Sequence, residues 1–294
     1  MSSITIDTHT IELSNEQKIL FPKSKITKGD LINYYQTIAP IMLPYIKDHP
    51  IAMQRFPDGI DHEGFYQKEA GEYFPNWIER KTIKHKAGHQ TTYVLCNNTA
   101  TLVYLANQAV ITIHHWLSTN AKLRSPDRMI FDLDPTHKNT WKDLVTTALL
   151  LKKIIESYDL TPFVMTTGSR GLHITVPLKQ IHTFKHVRMF AQQIAQQAIT
   201  SNQTLVTLEV RKEKRKNKIF IDTLRNQWAQ HAVAPYAVRA LEHAPIAMPI
   251  TWQELEKTPI NAQTYTIKNG LKQVNQHKHP WANFYQKAGN IASI

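Results

Sequence analysis

Residues 128–135 read RMIFDLDP. An apolar run that ends at a turn proline describes a buried β-strand, and alternate residues of a strand project from one face. Asp132 and Asp134 therefore stand side by side, roughly 6.6 Å apart along the strand at ~3.3 Å per residue. Phe131 and Leu133 point the other way, into the core. Two carboxylates at the end of an apolar strand repel each other unless a cation lies between them. Oxygen donors of this kind suit a hard divalent ion, Mg²⁺ or Mn²⁺. The alternative for an isolated D-x-D is a pair of turn aspartates that cap the next helix.

Outward from this strand, helical and extended patterns alternate. Apolar spacing predicts a helix over about 140–157, strands at 162–167 and 172–178 around the turn GSRG, and a second helix over about 183–200. Strands at 204–210 and 217–222 flank a basic run. Upstream, Thr27 and Asp30 form a capping box for a helix from Thr27 to about Lys47, with a kink or break expected at Pro40. Strands at 50–56, 92–97 and 111–116 and a helix at 98–109 follow. The carboxy-terminal third has no clear period. The pattern is α+β with mixed sheets. Without an internal repeat or a Gly/Ser linker, residues 1–294 read as a single domain.

A third acid, Asp222, ends the strand KIFID. Three strand-end carboxylates can hold two metal ions that activate a hydroxyl and stabilise a leaving pyrophosphate. Asp222 alone could equally be a strand terminator in a salt bridge. Between the acids lies TTGSRGLHITV, 166–176, which is neither a Walker A loop nor a dinucleotide fingerprint. It offers the hydroxyls of Thr167 and Ser169, the Arg170 guanidinium and His173, a set that can receive a triphosphate. His114, in ITIHHW, is one of 15 histidines; by itself it reads more readily as structural, with a site role as the alternative. Arg55 and Lys68 stand around Phe65 and Tyr66, combining charge with rings in a way that suits phosphate contact plus base stacking. The two rings could equally be packed.

The 294 residues carry 35 Lys+Arg against 23 Asp+Glu, a formal charge of +12. A hydrophobic share of 42% excludes a disordered tail. The lone Cys96 excludes an internal disulfide and cysteine zinc clusters. No apolar run reaches membrane-spanning length and the amino terminus lacks the order of a secretion signal, so the expected setting is the cytoplasm, with no membrane partner. Lys18, Lys23, Lys25 and Lys28 form one basic group; Arg80, Lys81, Lys84 and Lys86 form a second. RKEKRKNK at 211–218, which includes Arg215, is the densest. Each could be a solvated face, yet their nearness to candidate catalytic residues favours phosphate contacts.

FDLDP, TTGSRGLH and KIFIDTLRN, followed by AVAPYAVRA and APIAMP, closely resemble the polymerase domain of bacterial ligase D and its stand-alone relatives. These belong to the archaeo-eukaryotic primase superfamily and act in non-homologous end joining. The likeness begins at IELSNEQKILFPKSKITKGDLINYY, passes through RFPDG, GFYQK and ATLVYLANQ, and reaches about Trp252.

The resemblance implies a primase-polymerase core of mixed and antiparallel sheets flanked by helices. It also implies a metal-dependent, template-directed nucleotidyltransferase that adds nucleotides, ribonucleotides by preference, to 3′-hydroxyls at gaps and breaks. Asp132, Asp134 and Asp222 match catalytic carboxylates for two Mn²⁺ or Mg²⁺ ions. His114, Thr167, Arg170, His173 and Arg239 match nucleotide contacts, to which Ser169 and Arg55 are added. Lys18 and Lys28 match lysines for a 5′-phosphate, Phe65 and Tyr66 a pair beside the template, with Lys68 nearby, and Arg215 a basic loop that arranges DNA ends.

The implied partners are 5′-phosphorylated DNA gaps or ends, an NTP or dNTP, a separate DNA ligase and a Ku-like protein, in the nucleoid. Thr167 and Arg170 stand where the family more often has Ser and Lys. Gln54 replaces a basic residue of some relatives, and His115 replaces a proline. No K-x-D-G ligase motif occurs and there is no room for a ligase domain, so none is expected; a nuclease domain is not expected either. A catalytically idle end-bridging module and a metal nuclease remain as alternatives.

Overall fold

The computed structural model describes residues 2–85, 88–276 and 279–291, so Lys86 lies outside the described residues. In chain order, the hairpin β1 (Ser2–Ile6) and β2 (His9–Leu13) precedes β3 (Ile19–Phe21), β4 (Ile26–Thr27) and helix α1 (Lys28–Ile46). Next come β5 (Ile51–Arg55), β6 (Phe65–Gln67), the hairpin β7 (Arg80–Lys84) and β8 (Gln90–Val94), α2 (Thr99–Asn107) and β9 (Val110–Trp116). They are followed by β10 (Arg128–Asp134), α3 (Trp141–Glu156), β11 (Phe163–Thr166), β12 (Leu172–Pro177), α4 (Phe184–Ser201), β13 (Val206–Thr207) and β14 (Ile219–Asp222). The end of the chain supplies β15 (His231–Val233), β16 (Pro249–Ile250), α5 (Trp252–Lys257) and α6 (Gly270–Gln276). Mixed helices and largely antiparallel sheets make the fold α+β.

Two compact units are assembled from alternating pieces of the chain. The first takes the residues up to Ala121 with His231–Ala247 and Tyr265–Gln276. The second takes Lys122–Gln230, Met248–Thr264 and the residues after Gln276. Alternation of this kind needs no linker, and none is visible in the sequence.

In the first unit a four-stranded sheet has the order β15-β9-β5-β6. Helix α1 begins at the predicted capping box, with Thr27 accepting from the Asp30 amide and Asp30 closing back on the Thr27 amide. It runs unbroken through Pro40 and Pro44, so the break, one of the two outcomes expected at Pro40, does not occur. A proline inside a helix costs about 3 kcal/mol. Here Leu31, Ile32, Tyr35, Ile38, Met42 and Ile46 are buried on it, each worth ~1.5–3 kcal/mol, so burial outweighs the lost hydrogen bonds.

In the second unit a six-stranded sheet has the order β13-β14-β10-β12-β11-β16, antiparallel except for β13 with β14. β10 lies inside it, with Met129, Phe131 and Leu133 fully buried. Helices α3 and α4 pack on each other and bury Leu144, Leu151, Ile155, Val187, Phe190 and Ile194. Of the strand expected at 204–210 only Val206–Thr207 forms. The carbonyls of Glu209 and Val210 instead accept from the Arg215 guanidinium at 3.1 and 3.0 Å.

Where β14 ends, the buried Asn226 continues its ladder with a side chain. Asn226 accepts from the Ile130 amide at 2.8 Å and donates to the Ile130 carbonyl at 2.7 Å. A peptide-like amide in that place satisfies both polar groups of a buried strand residue.

Candidate active site

Sheet register builds the site. Asp132 of β10 is directly opposite Asp222 of β14 on one side and His173 of β12 on the other. Directly opposed side chains share a face with Cβ atoms about 4.5–5.5 Å apart. Asp222, Asp132 and His173 thus form a row, and Asp134 is two residues further along the same face. His173 Nε2 lies 3.4 Å from Asp132 Oδ1. The expected alternation holds: Phe131 and Leu133 are buried on the opposite face.

Like charges directly opposed across strands are unfavourable. Burial raises the pKa of Asp134 above the usual aspartate value, with Asp132 adding to the rise. Burial likewise raises Asp222, while the Leu224 amide, donating to its Oδ1 at 2.7 Å, pulls the other way. Two guanidinium groups supply partial compensation. Arg225 Nε is 3.7 Å from Asp132 Oδ2 and 3.6 Å from Asp222 Oδ2. Arg215 Nη1 is 3.8 Å from Asp134 Oδ2. All three distances exceed a hydrogen bond.

The donor set fits a hard divalent cation in chemistry: three carboxylates on one face, two of them disfavoured by burial in the charged form. As the side chains stand, no three His, Cys, Asp or Glu groups converge as ligands among the described residues. Asp134 faces Arg215 and would have to turn from it to join Asp132 and Asp222.

The turn after β11 is held by Thr167. Its Oγ1 accepts from the Ser169 and Gly171 amides at 3.3 and 3.2 Å and donates to the Gly171 carbonyl at 3.1 Å. The hydroxyl read as a phosphate contact is thus occupied in shaping the turn. Ser169 is half-buried and Arg170 exposed, and the Arg170 charge acts to lower the Asp134 pKa. Gly168 adopts φ 64°, the left-handed region. Gly171 is needed for closeness: a Cβ there would lie 2.0 Å from the Leu133 carbonyl oxygen. Gln263 braces the turn from outside, donating to the Ser169 carbonyl at 2.8 Å.

Arg215, expected in a basic loop that arranges DNA ends, has its side chain turned inward. It is 6% exposed, its guanidinium stacks 4.2 Å from the Phe220 ring centroid, and its N–H groups go to main-chain carbonyls. The rest of the 211–218 run, apart from half-buried Lys218, is exposed.

The first unit carries the other expected contacts. Lys18 and Lys28 come together, the Lys28 amide donating to the Lys18 carbonyl at 2.8 Å. Lys28 is buried and donates from Nζ to Ser14 Oγ and the Asn107 carbonyl, each at 3.1 Å. Burial lowers its pKa; Glu16 opposes this and Lys18 adds to it. Lys18 is more open and pairs with Asp58 at 2.6 Å.

Phe65 and Tyr66 are 46% and 59% exposed on the edge strand β6, so packing does not account for them. Tyr66 lies 5.5 Å from the His114 ring, and Arg55 stands over Phe65. Arg55 also donates to the Gln108 carbonyl, Gln67 and Tyr73. Lys68 is exposed, Gln54 and Arg239 are half-buried, and His115 is buried against His49.

Sequence reasoning passed over the structural work of Asn226, Gly171 and Gln263. DTLRN held a signal for the first, since an amide shortly after a strand-end acid is placed to cap, and the salt bridge offered for Asp222 is one that Arg225, three residues on, approaches. Gln263 lies in the segment without a period and left none.

Comparison with known proteins extends the geometry. The chain is 34% identical over 247 residues to the multifunctional non-homologous end joining protein LigD of Mycolicibacterium smegmatis, covering 83% of this chain and 32% of that protein. It is 27% identical over 277 residues to the bifunctional non-homologous end joining protein LigD of Bacillus subtilis, covering 94% and 44%. It therefore spans about a third to under half of these relatives. The polymerase domain of Mycobacterium tuberculosis ligase D, solved in complex with DNA, matches with a TM-score of 0.88 and 27% identity over 95% of this chain and 99% of that one. Residues 27–281 match the family model described as LigD, primase-polymerase domain, and the chain belongs to that family.

Proposed function

We propose that the protein is a metal-dependent, template-directed polymerase that extends 3′-hydroxyl ends at gaps and breaks in DNA, with a preference for ribonucleotides, in non-homologous end joining. The observation that carries the reading is the row Asp222–Asp132–His173 with Asp134 beside it, in a chain of this family. Asp132, Asp134 and Asp222 would hold two Mn²⁺ or Mg²⁺ ions. Bound there, the ions would lower the pKa of the primer hydroxyl and neutralise the departing pyrophosphate.

The chain's own residues position the reactants. Arg170, Ser169, His173 and Thr167, the last through the turn it shapes, are assigned to the triphosphate. His114, Arg239 and Arg55 are assigned to the nucleotide, and Phe65, Tyr66 and Lys68 to the template. Lys18 and Lys28 suit a 5′-phosphate, because two mutually repelling ammonium groups gain from an anion between them. A separate ligase would seal the product, and a Ku-like protein would bring the ends.

Extension of a labelled primer on a gapped duplex with a 5′-phosphate, with Mn²⁺ and either NTPs or dNTPs, tests this. Addition with faster use of NTPs is the expected result. No extension with either set overturns the polymerase reading, and faster use of dNTPs overturns the sugar preference alone.

A further inference from the structure

The positive surplus has a feature that the basic runs conceal. No acidic residue occurs in 80–126, 160–208 or 223–241. In the second unit, pieces of all three stretches meet. The Lys122 ammonium donates to the Gln180 carbonyl at 3.4 Å, and Gln180 donates to the Ser125 carbonyl at 3.0 Å. The Trp228 ring lies edge-on to Phe184, with centroids 5.8 Å apart, and Arg124 stands over Trp228 at 5.9 Å. Arg188, one turn along α4 from Phe184, donates to the Gln227 side-chain oxygen at 2.7 and 3.1 Å.

Lys122, Arg124 and Lys185 are exposed, and Arg188 and Trp228 are half-buried. Among the described residues none of these four cations forms an ion pair. The next acid after Arg124 is Asp127, which is buried and spent on Arg128 at 2.7 and 3.0 Å. The face therefore keeps its charge.

Its position matters. The loop bearing Trp228 starts at Asp222 and runs back beside β10, where Asn226 pairs with Ile130. From Asp132 to Arg128, at the start of β10, is roughly 13 Å at ~3.3 Å per residue. That equals about four base steps at ~3.4 Å each.

We propose that Lys122, Arg124, Lys185, Arg188 and Trp228 form a second nucleic-acid contact, which takes the strand leading away from the acid row about four nucleotides from the point of addition. Unpaired cations serve the phosphates, and Trp228 under Arg124 offers a ring for stacking. An acidic peptide would satisfy the cations but has no base to set on the ring. The inference rests on the polymerase reading for what lies at the acids.

The test is fluorescence anisotropy with two gapped duplexes, one ending about three base pairs upstream of the 3′ terminus, short of the proposed contact, and one extended to about twelve. Wild-type protein should bind the longer about tenfold more tightly. Arg124→Gln with Arg188→Gln should bind the short duplex as wild type does, yet gain less than about twofold from the extension. On the longer duplex its slope of log K against log salt should fall by about 1.8, from two contacts at ~0.9 each.

Trp228→Leu should lose several-fold on the longer duplex with the slope unchanged. If the arginine pair does not fold, Lys122→Gln with Lys185→Gln, both at exposed positions, carries the same expectation. Variants that follow wild type in both length and salt dependence overturn this surface and leave the polymerase reading standing. Wild-type protein that binds neither duplex contradicts both.

Discussion

The acid row of the second unit and the lysine corner of the first are built by different means. Asp132, Asp222 and His173 are placed by strand register, with no latitude beyond a rotamer. Lys18 and Lys28 sit just outside the short, irregular pairing of β3 with β4, whose turn holds Lys25 at φ 52°, and Lys28 is held further by side-chain bonds. A register-built cluster is held together although its charges repel, since a one-residue slip would turn every side chain of the strand over. A turn-built cluster can relax when its charges are unmatched, as Lys18 does towards Asp58. The first arrangement suits a site that must meet a cation in fixed geometry, and the second one that receives a mobile phosphate.

The largest effect should come from breaking the register-built side. Asp132→Ala with Asp134→Ala removes two donors and should reduce primer extension by at least about 10³-fold, read as kcat at saturating DNA. Gly171→Val comes next. Its Cβ would meet the Leu133 carbonyl at 2.0 Å, so the turn must leave β10 and carry Arg170 with it. A displacement near 1 Å costs about 10²-fold, and kcat/KM for the nucleotide should show it.

On the turn-built side, Lys18→Ala should weaken binding to 5′-phosphorylated gaps about tenfold, as loss of one charge-assisted hydrogen bond would. Unphosphorylated gaps should be little affected. Equal loss on both substrates would remove the phosphate assignment from this corner and with it the contrast between the two regions.

The smallest effect sharpens the contrast through pH. Asp134 and Asp222 both titrate above the ordinary aspartate value of 3.8 in the folded, metal-free protein. The folded state thus holds their protons more tightly than the unfolded state. The stability they contribute is complete below that ordinary value and is lost as pH rises through the folded one. Asp134→Asn with Asp222→Asn should therefore melt above wild type at neutral pH, by about 2–4 °C for each kcal/mol relieved. The difference should close as the pH falls towards 4. Melting curves at the two pH values check it, and a gap that widens in acid would contradict the burial argument.

Legibility followed the same division. FDLDP, TTGSRGLH and KIFID declare their faces through alternation, so the acids, His173 and the core residues opposite them were readable in advance. Asn226 and Arg225 act across sequence gaps, pairing with Ile130 and Asp132, and no period announces such bonds. Pro40 does not break α1 because propensity is local while the burial of α1 is not. Arg215 shows a limit of reading charge runs: one arginine among six bases is spent on Phe220, Asp134 and two carbonyls. Trp228 and its cations were missed for the opposite reason, being scattered over three stretches that form one face only after folding.

The central claim is that the register-built carboxylates are the metal ligands. Mn²⁺ titration followed by the loss of the free-ion electron paramagnetic resonance signal tests it most directly, using wild-type protein, Asp222→Ala and Asp132→Ala with Asp134→Ala. The account predicts uptake by wild type in the presence of nucleotide, and weakening of at least about tenfold in each variant. Wild-type protein that takes up no Mn²⁺, or variants that take it up as wild type does, would contradict it.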